Sequence, residues 1–191
     1  MTAEWLEALA RVVRAFDEAG LRYAVGGSLA STFHGEPRAT ADLDLLLELP
    51  GASLSAFLAA LGDEFYVSEE AAADAVRRCS SFNLIHLASM HKIDLFVAGT
   101  GVLDREQLSR RRSAALSPGS DPVFVTAPEN IVVRKLDWFR IGGQVSERQW
   151  HDVVAVLKTQ GARLDRGYLE GLALQVGLGE LLARALEEAG L

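Results

Sequence analysis

The stretch Tyr23-Ala24-Val25-Gly26-Gly27-Ser28, followed one short helix later by Asp42-Leu43-Asp44-Leu45-Leu46-Leu47, decides how this chain is read. Tyr23 to Val25 reads as a short strand. The glycine pair reads as a tight turn, and the residues toward His34 as a helix. A loop containing Gly35 and Pro37 leads to a second strand, Asp42 to Leu47. Side chains alternate faces along a strand, so Asp42 and Asp44 project together, about 6–7 Å apart. Leu43, Leu45 and Leu47 take the opposite face and supply a core. Glycine permits close backbone approach and positive φ, and a helix beginning at such a turn aims free N–H groups into it.

Working outward, Ala3 to Ala19 carries Trp5, Leu6, Leu9, Val12, Val13 and Phe16 at helical spacing and stops at Gly20. A helix is expected at Leu54 to Leu61, and the stretch up to Arg78 gives no clear signal. Ser81 to Leu87 and His91 to Val97 are strands, and the short Ala88-Ser89-Met90 link makes them an antiparallel hairpin. Leu103 to Arg112 reads as a charged helix and Val123 to Val125 as a strand. Thr126 and Glu129 read as a capping box with Pro128 in the first turn, opening a helix that runs to Gly142-Gly143. Ser146 and Gln149 repeat that start signal, and helices near Asp165 to Gln175 and Glu180 to Glu188 follow. The expected architecture is an α/β (α+β) head with a mixed sheet and flanking helices over residues 1–126. A helical tail, residues 127–191, packs on the face that carries the site.

Asp94 lies in Lys92-Ile93-Asp94-Leu95-Phe96, a second apolar strand. If the two strands are neighbours, three carboxylates converge. Two unit charges about 7 Å apart repel by about 2 kcal/mol at an effective dielectric of 20. A divalent cation removes that penalty, and hard oxygen ligands favour Mg²⁺ or Mn²⁺ over zinc. Taken alone, a D-x-D pair is the wet face of a strand and a Gly-Gly-Ser is a turn. One short helix apart, they inform each other. A haloacid-dehalogenase-like phosphatase asks for Thr or Val where Leu46 stands. A nucleotide-sugar glycosyltransferase has no need of the upstream Gly-Ser.

Gly27-Ser28, Asp42-x-Asp44 and a later strand aspartate, Asp94, together resemble the signature of the nucleotidyltransferase superfamily. The resemblance implies a nucleotidyltransferase-like sheet and transfer of an NMP group from a nucleoside triphosphate such as ATP to an acceptor hydroxyl (EC 2.7.7). It implies that Gly27 and Ser28 hold phosphates. It further implies that Asp42, Asp44 and Asp94 bind the metal, with Asp94 completing the site as base. Thr126-Ala127-Pro128-Glu129 leading to Arg134-Lys135-Leu136, then His151-Asp152, resembles the AbiEii-type nucleotidyltransferases of toxin–antitoxin pairs. That implies a phosphate contact for Lys135, a place for Asp152 at the border of the site, and a cognate antitoxin partner. His151 and Ala155 depart from the pattern, where a basic and an acidic residue are expected.

Lys135 shares a helix face with Ile131 and Phe139, where a solvated lysine is out of place. Arg38 and Thr40, in the loop before Asp42, are set to reach a triphosphate. Arg77-Arg78 and Arg110-Arg111-Arg112 are basic clusters available to an RNA acceptor. The net charge of −7 argues against a broad nucleic-acid-binding face. The single cysteine, Cys79, allows no internal disulfide. No apolar run has the length of a membrane span, and the start lacks signal-peptide character, so cytoplasm is the expected compartment. The competing expectation is a nucleotide-binding regulatory or antitoxin-like partner of the same fold that does not turn over substrate.

Overall fold

The computed structural model describes residues 3–37, 39 and 42–191; Arg38 and Thr40 lie outside the described residues. In chain order the elements are α1 (Ala3–Glu18), β1 (Arg22–Val25), α2 (Gly27–His34), β2 (Leu43–Glu48), α3 (Leu54–Leu61), β3 (Phe65–Val67), α4 (Glu69–Arg78), β4 (Ser81–His86) and β5 (His91–Val97). They continue with α5 (Val102–Ser109), β6 (Arg112–Ala115), β7 (Pro122–Val125), α6 (Pro128–Ile141), α7 (Glu147–Gln160), α8 (Arg166–Gln175) and α9 (Gly179–Ala189). After β7 the described elements are all helical. No helix is long and apolar enough to cross a membrane among the described residues.

The seven strands form one sheet in the order β3-β4-β5-β2-β1-β7-β6. It is mixed: β2 pairs parallel with β5 and antiparallel with β1, while β1 pairs parallel with β7. Leu43, Leu45 and Leu47 of β2 and Ile93, Leu95 and Val97 of β5 are buried in the main core, which continues into α6, α7, α8 and α9. On the opposite face, Ala24, Leu46 and Leu108 form a smaller cluster with Phe96 and Ala98. That thinly covered face also carries Asp44 and Asp94.

Three expectations are corrected. The helix expected to reach Arg112 ends at Ser109, because Arg112 begins β6, antiparallel to β7. The weakly patterned stretch before Arg78 holds β3 and α4, the latter capped by the Ser68 hydroxyl on the Ala71 N–H. The Thr126–Glu129 capping box does not form. The Thr126 N–H donates to the Val25 carbonyl and its own carbonyl receives His34 Nε2, so its backbone extends the β1 pairing and Ala127 becomes the cap. Glu129 turns to the Asp165 N–H and Arg112. The second start signal does form: Ser146 caps α7 through the Gln149 N–H.

Candidate active site

β1 ends in the Gly26-Gly27 turn, and the Gly26 N–H donates to the Asp44 carbonyl oxygen at 2.8 Å, tying the turn to β2. Gly27 has φ +54°, and a Cβ there would collide with Asp44 Oδ2 and lie 2.5 and 2.7 Å from its Cγ and Cβ. Only glycine satisfies both demands. The Asp44 carboxylate is therefore folded against the start of α2, where it accepts the Ser28 backbone N–H. It takes the seat that helix N-termini offer to anions.

Asp44 and Asp94 face each other in register across β2 and β5. Burial first, and then the charge of Asp94, push the Asp44 carboxyl above its ordinary value; the Ser28 N–H and the Lys135 charge oppose this. Asp94 Oδ1 accepts from Asn83 Nδ2 at 3.0 Å, and its Oδ2 lies 2.8 Å from Lys92 Nζ. Asp42 sits just before β2, exposed, with Oδ2 3.4 Å from Arg148. The structure thus brings Asp44 and Asp94 together and turns Asp42 toward α7. As placed, no three Asp, Glu, His or Cys side chains enclose an ion among the described residues. The donor set nevertheless suits a hard divalent cation: two adjacent carboxylates carry a repulsion that a cation relieves, and a third stands two residues away.

Arg148 and its neighbours are what sequence reasoning missed. Its guanidinium donates to Ser28 Oγ at 2.8 Å while touching Asp42, which makes it the cation in contact with both halves of the motif. One turn further along α7 lies Asp152, and that i, i+4 spacing from a strong N-cap was the available signal. Lys135 is only 1% exposed and is held by Asp152 at 2.8 Å and Gln149 at 3.0 Å. Asp152 also receives Ser31 Oγ at 3.3 Å, and Ser31 further contacts the Gly27 and Ser28 carbonyls. Lys135 and Asp152 therefore support the turn from behind. Ala155 is buried where the α7 backbone runs against Gly35, a place too tight for a carboxylate. Of the other arginines, Arg77 and Arg78 both bind Asp74, Arg110 binds Asp165, and Arg112 approaches Glu129.

A mixed sheet with a Gly-Ser turn against an in-register carboxylate pair, closed by C-terminal helices, is the nucleotidyltransferase fold. Solved structures share it over nearly the whole chain. The antibiotic-resistance factor ANT(2'')-Ia, in solution, is 18% identical with a TM-score of 0.58, covering 98% of this chain and 97% of that one. A crystal structure of ANT(2'')-Ia in complex with adenylyl-2''-tobramycin is 16% identical with a TM-score of 0.53, covering 91% and 97%. An antigenic nucleotidyltransferase-like protein from Paracoccidioides brasiliensis is 17% identical with a TM-score of 0.56, covering 98% and 94%. These likenesses carry the fold and not the AbiEii-type subfamily. No protein-family model matches the sequence, and no curated protein does.

Proposed function

We propose that this protein is a metal-dependent nucleotidyltransferase that moves an NMP group from a nucleoside triphosphate to an acceptor hydroxyl. The observation that carries the reading is Asp44, in register with Asp94 and folded against the Gly27-Ser28 turn. Asp42, Asp44 and Asp94 are the residues to hold Mg²⁺ or Mn²⁺. Such a cation, when bound, supplies Lewis acidity to the attacking oxygen and neutralises charge on the departing pyrophosphate. On binding, Asp44 gives up the Ser28 N–H and Asp42 gives up Arg148. This frees Gly27, Ser28 and Arg148 for the phosphates. Arg38 and Thr40 are proposed for the same cradle from sequence position. Lys135 contributes by fixing α7 against α2, and the helical residues 127–191 form the wall above the site.

In the reaction the acceptor oxygen attacks the α-phosphorus, an O–P bond forms, the bond to the β-phosphate oxygen breaks, and pyrophosphate leaves. The acceptor proton passes to Asp94. A toxin role and an antitoxin partner rest on the AbiEii-type resemblance alone, and His151 and Ala155 break its pattern.

The test is Asp94→Asn, which keeps shape and loses charge and basicity. Nucleotide affinity, by calorimetry with Mn²⁺, should stay within about tenfold, or roughly 1.4 kcal/mol. Transfer from labelled NTP should fall by at least the roughly 10²-fold typical of lost general-base catalysis. If the wild type transfers to no acceptor pool and still binds nucleotide, the protein is a regulatory binder instead.

A further inference from the structure

We propose that a cavity of about 280 Å³ beside Asp44 is the acceptor site, and that it takes a small uncharged alcohol with a flat apolar body. This rests on the transferase reading and names its second substrate.

The floor of the cavity is Leu46 and Phe96, on the sheet face that the main core leaves uncovered. Trp138 of α6 stands over Phe96 with ring centroids 6.1 Å apart and planes inclined by 39°. Asp44 and Gly27 are at one end, so a molecule lying on the floor can reach the reacting centre.

The polar wall is already satisfied. Arg134 is ion-paired with Asp104, lies 3.9 Å from Asp137, and donates to the Gln107 amide oxygen at 2.9 and 3.0 Å once that amide is oriented correctly. The second oxygen of Asp104 accepts the Gly99 N–H at 2.8 Å. A charged ligand would meet no uncommitted counter-charge on this wall, and burying an unpaired charge is costly. An apolar ring gains from the aromatic and aliphatic floor.

Direction of attack assigns this cavity to the acceptor. The pyrophosphate is proposed to leave toward Ser28 and Arg148. In-line displacement places the nucleophile on the other side of the phosphorus. No residue of α7 lines the cavity, which is built from the β4–β5 side together with α5 and α6.

A polynucleotide is the poorer occupant. Backbone binding draws on several uncommitted cations. Here Arg110 is stacked 3.7 Å above the Tyr168 ring, Arg111 lies 4.5 Å above Phe124, and Arg77 and Arg78 share Asp74.

Cys79, the chain's single cysteine, is exposed and lines this cavity, so it reports occupancy. The experiment follows alkylation of Cys79 by iodoacetamide in the full chain, with three probes: 2-naphthylmethanol, a 12-mer oligouridylate, and each NTP with Mg²⁺. The naphthyl alcohol is expected to slow alkylation at least fivefold, while the oligouridylate and the NTPs change the rate less than twofold. Trp138→Ala should raise the half-protecting concentration at least tenfold, and Trp138→Phe should restore most of it. Circular dichroism confirms that both variants fold. Protection by the oligouridylate but not the naphthyl alcohol overturns the proposal in favour of a polymeric acceptor. Fivefold protection by an NTP alone makes the cavity the nucleoside's seat and also overturns it. Calorimetry with Mn²⁺ and NTP separates the two levels. Nucleotide binding without naphthyl protection sinks the cavity assignment alone. Naphthyl protection without nucleotide binding sinks the transferase reading and leaves the cavity standing.

Discussion

Replacing Gly27 with alanine probes the link on which the site depends. Two costs separate cleanly. Adding a Cβ at φ +54° imposes the left-handed penalty of about 1–2 kcal/mol. The new Cβ also lands 2.5 Å from Asp44 Cγ and 2.7 Å from its Cβ, so the side chain must swing away and β2 must shift slightly. Swinging away removes the Ser28 N–H bond to a carboxylate, worth about 1.5–3 kcal/mol. Relief of the Asp44–Asp94 repulsion returns part of that, leaving about 2–4 kcal/mol in total. Gly20→Ala is the internal control, because its φ is +66° and a Cβ there meets nothing within 4 Å. That variant should lose only the backbone part, about 1–2 kcal/mol. By urea titration, Gly27→Ala should therefore be at least about 1 kcal/mol less stable than Gly20→Ala, and its thermal midpoint lower by a further roughly 2–4 °C. Mn²⁺–NTP binding should be lost in Gly27→Ala and kept in Gly20→Ala. Equal stability and equal nucleotide binding in the two variants would refute the placement of Asp44 against the turn.

Arg148→Ala should weaken NTP binding about tenfold, or roughly 1.4 kcal/mol, yet change stability by less than about 0.5 kcal/mol because both partners in the Asp42 pair are over half exposed; calorimetry and urea titration read the two. Lys135→Met alone should cost about 3–5 kcal/mol by stranding the buried Asp152 charge, whereas Lys135→Met with Asp152→Leu should recover most of it, as a double-mutant cycle will show. Burial chiefly holds His34 below its ordinary value of 6.5, so the unfolded chain takes up that proton first. The His34 contribution is full above about pH 6.5 and is lost as pH falls through that value, with a slope of at most about 1.4 kcal/mol per pH unit. Urea titrations of wild type and His34→Gln between pH 7.5 and 5 should diverge on the acid side, and parallel curves would remove His34 as the cause.

Local pattern determined much of this protein. Alternation in Asp42-Leu43-Asp44-Leu45 separates a core face from a carboxylate face whatever the strand pairs with, because the side-chain period of a strand is two. The short link after Leu87 fixes the β4–β5 hairpin, and helical periodicity sets the bounds of α3 as found, Leu54–Leu61. Glycine at 27 is required by local backbone geometry. Features that depend on a distant partner were not legible. Parallel β2–β5 pairing aligns Asp44 with Asp94 across two separate strands, and no residue near either encodes that register. Thr126 and Glu129 carry a capping box in sequence, yet Val25, His34 and Asp165 claimed their hydrogen-bonding groups first. Lys135 and Arg148 show the same division. Sequence marked a lysine on an apolar helix face, but the packing of α6 on α7 gave it to Asp152 and sent the exposed arginine one turn earlier to Ser28 and Asp42. A buried charge must pair with whatever the tertiary fold brings within reach, whereas a strand's two faces are set by its own backbone.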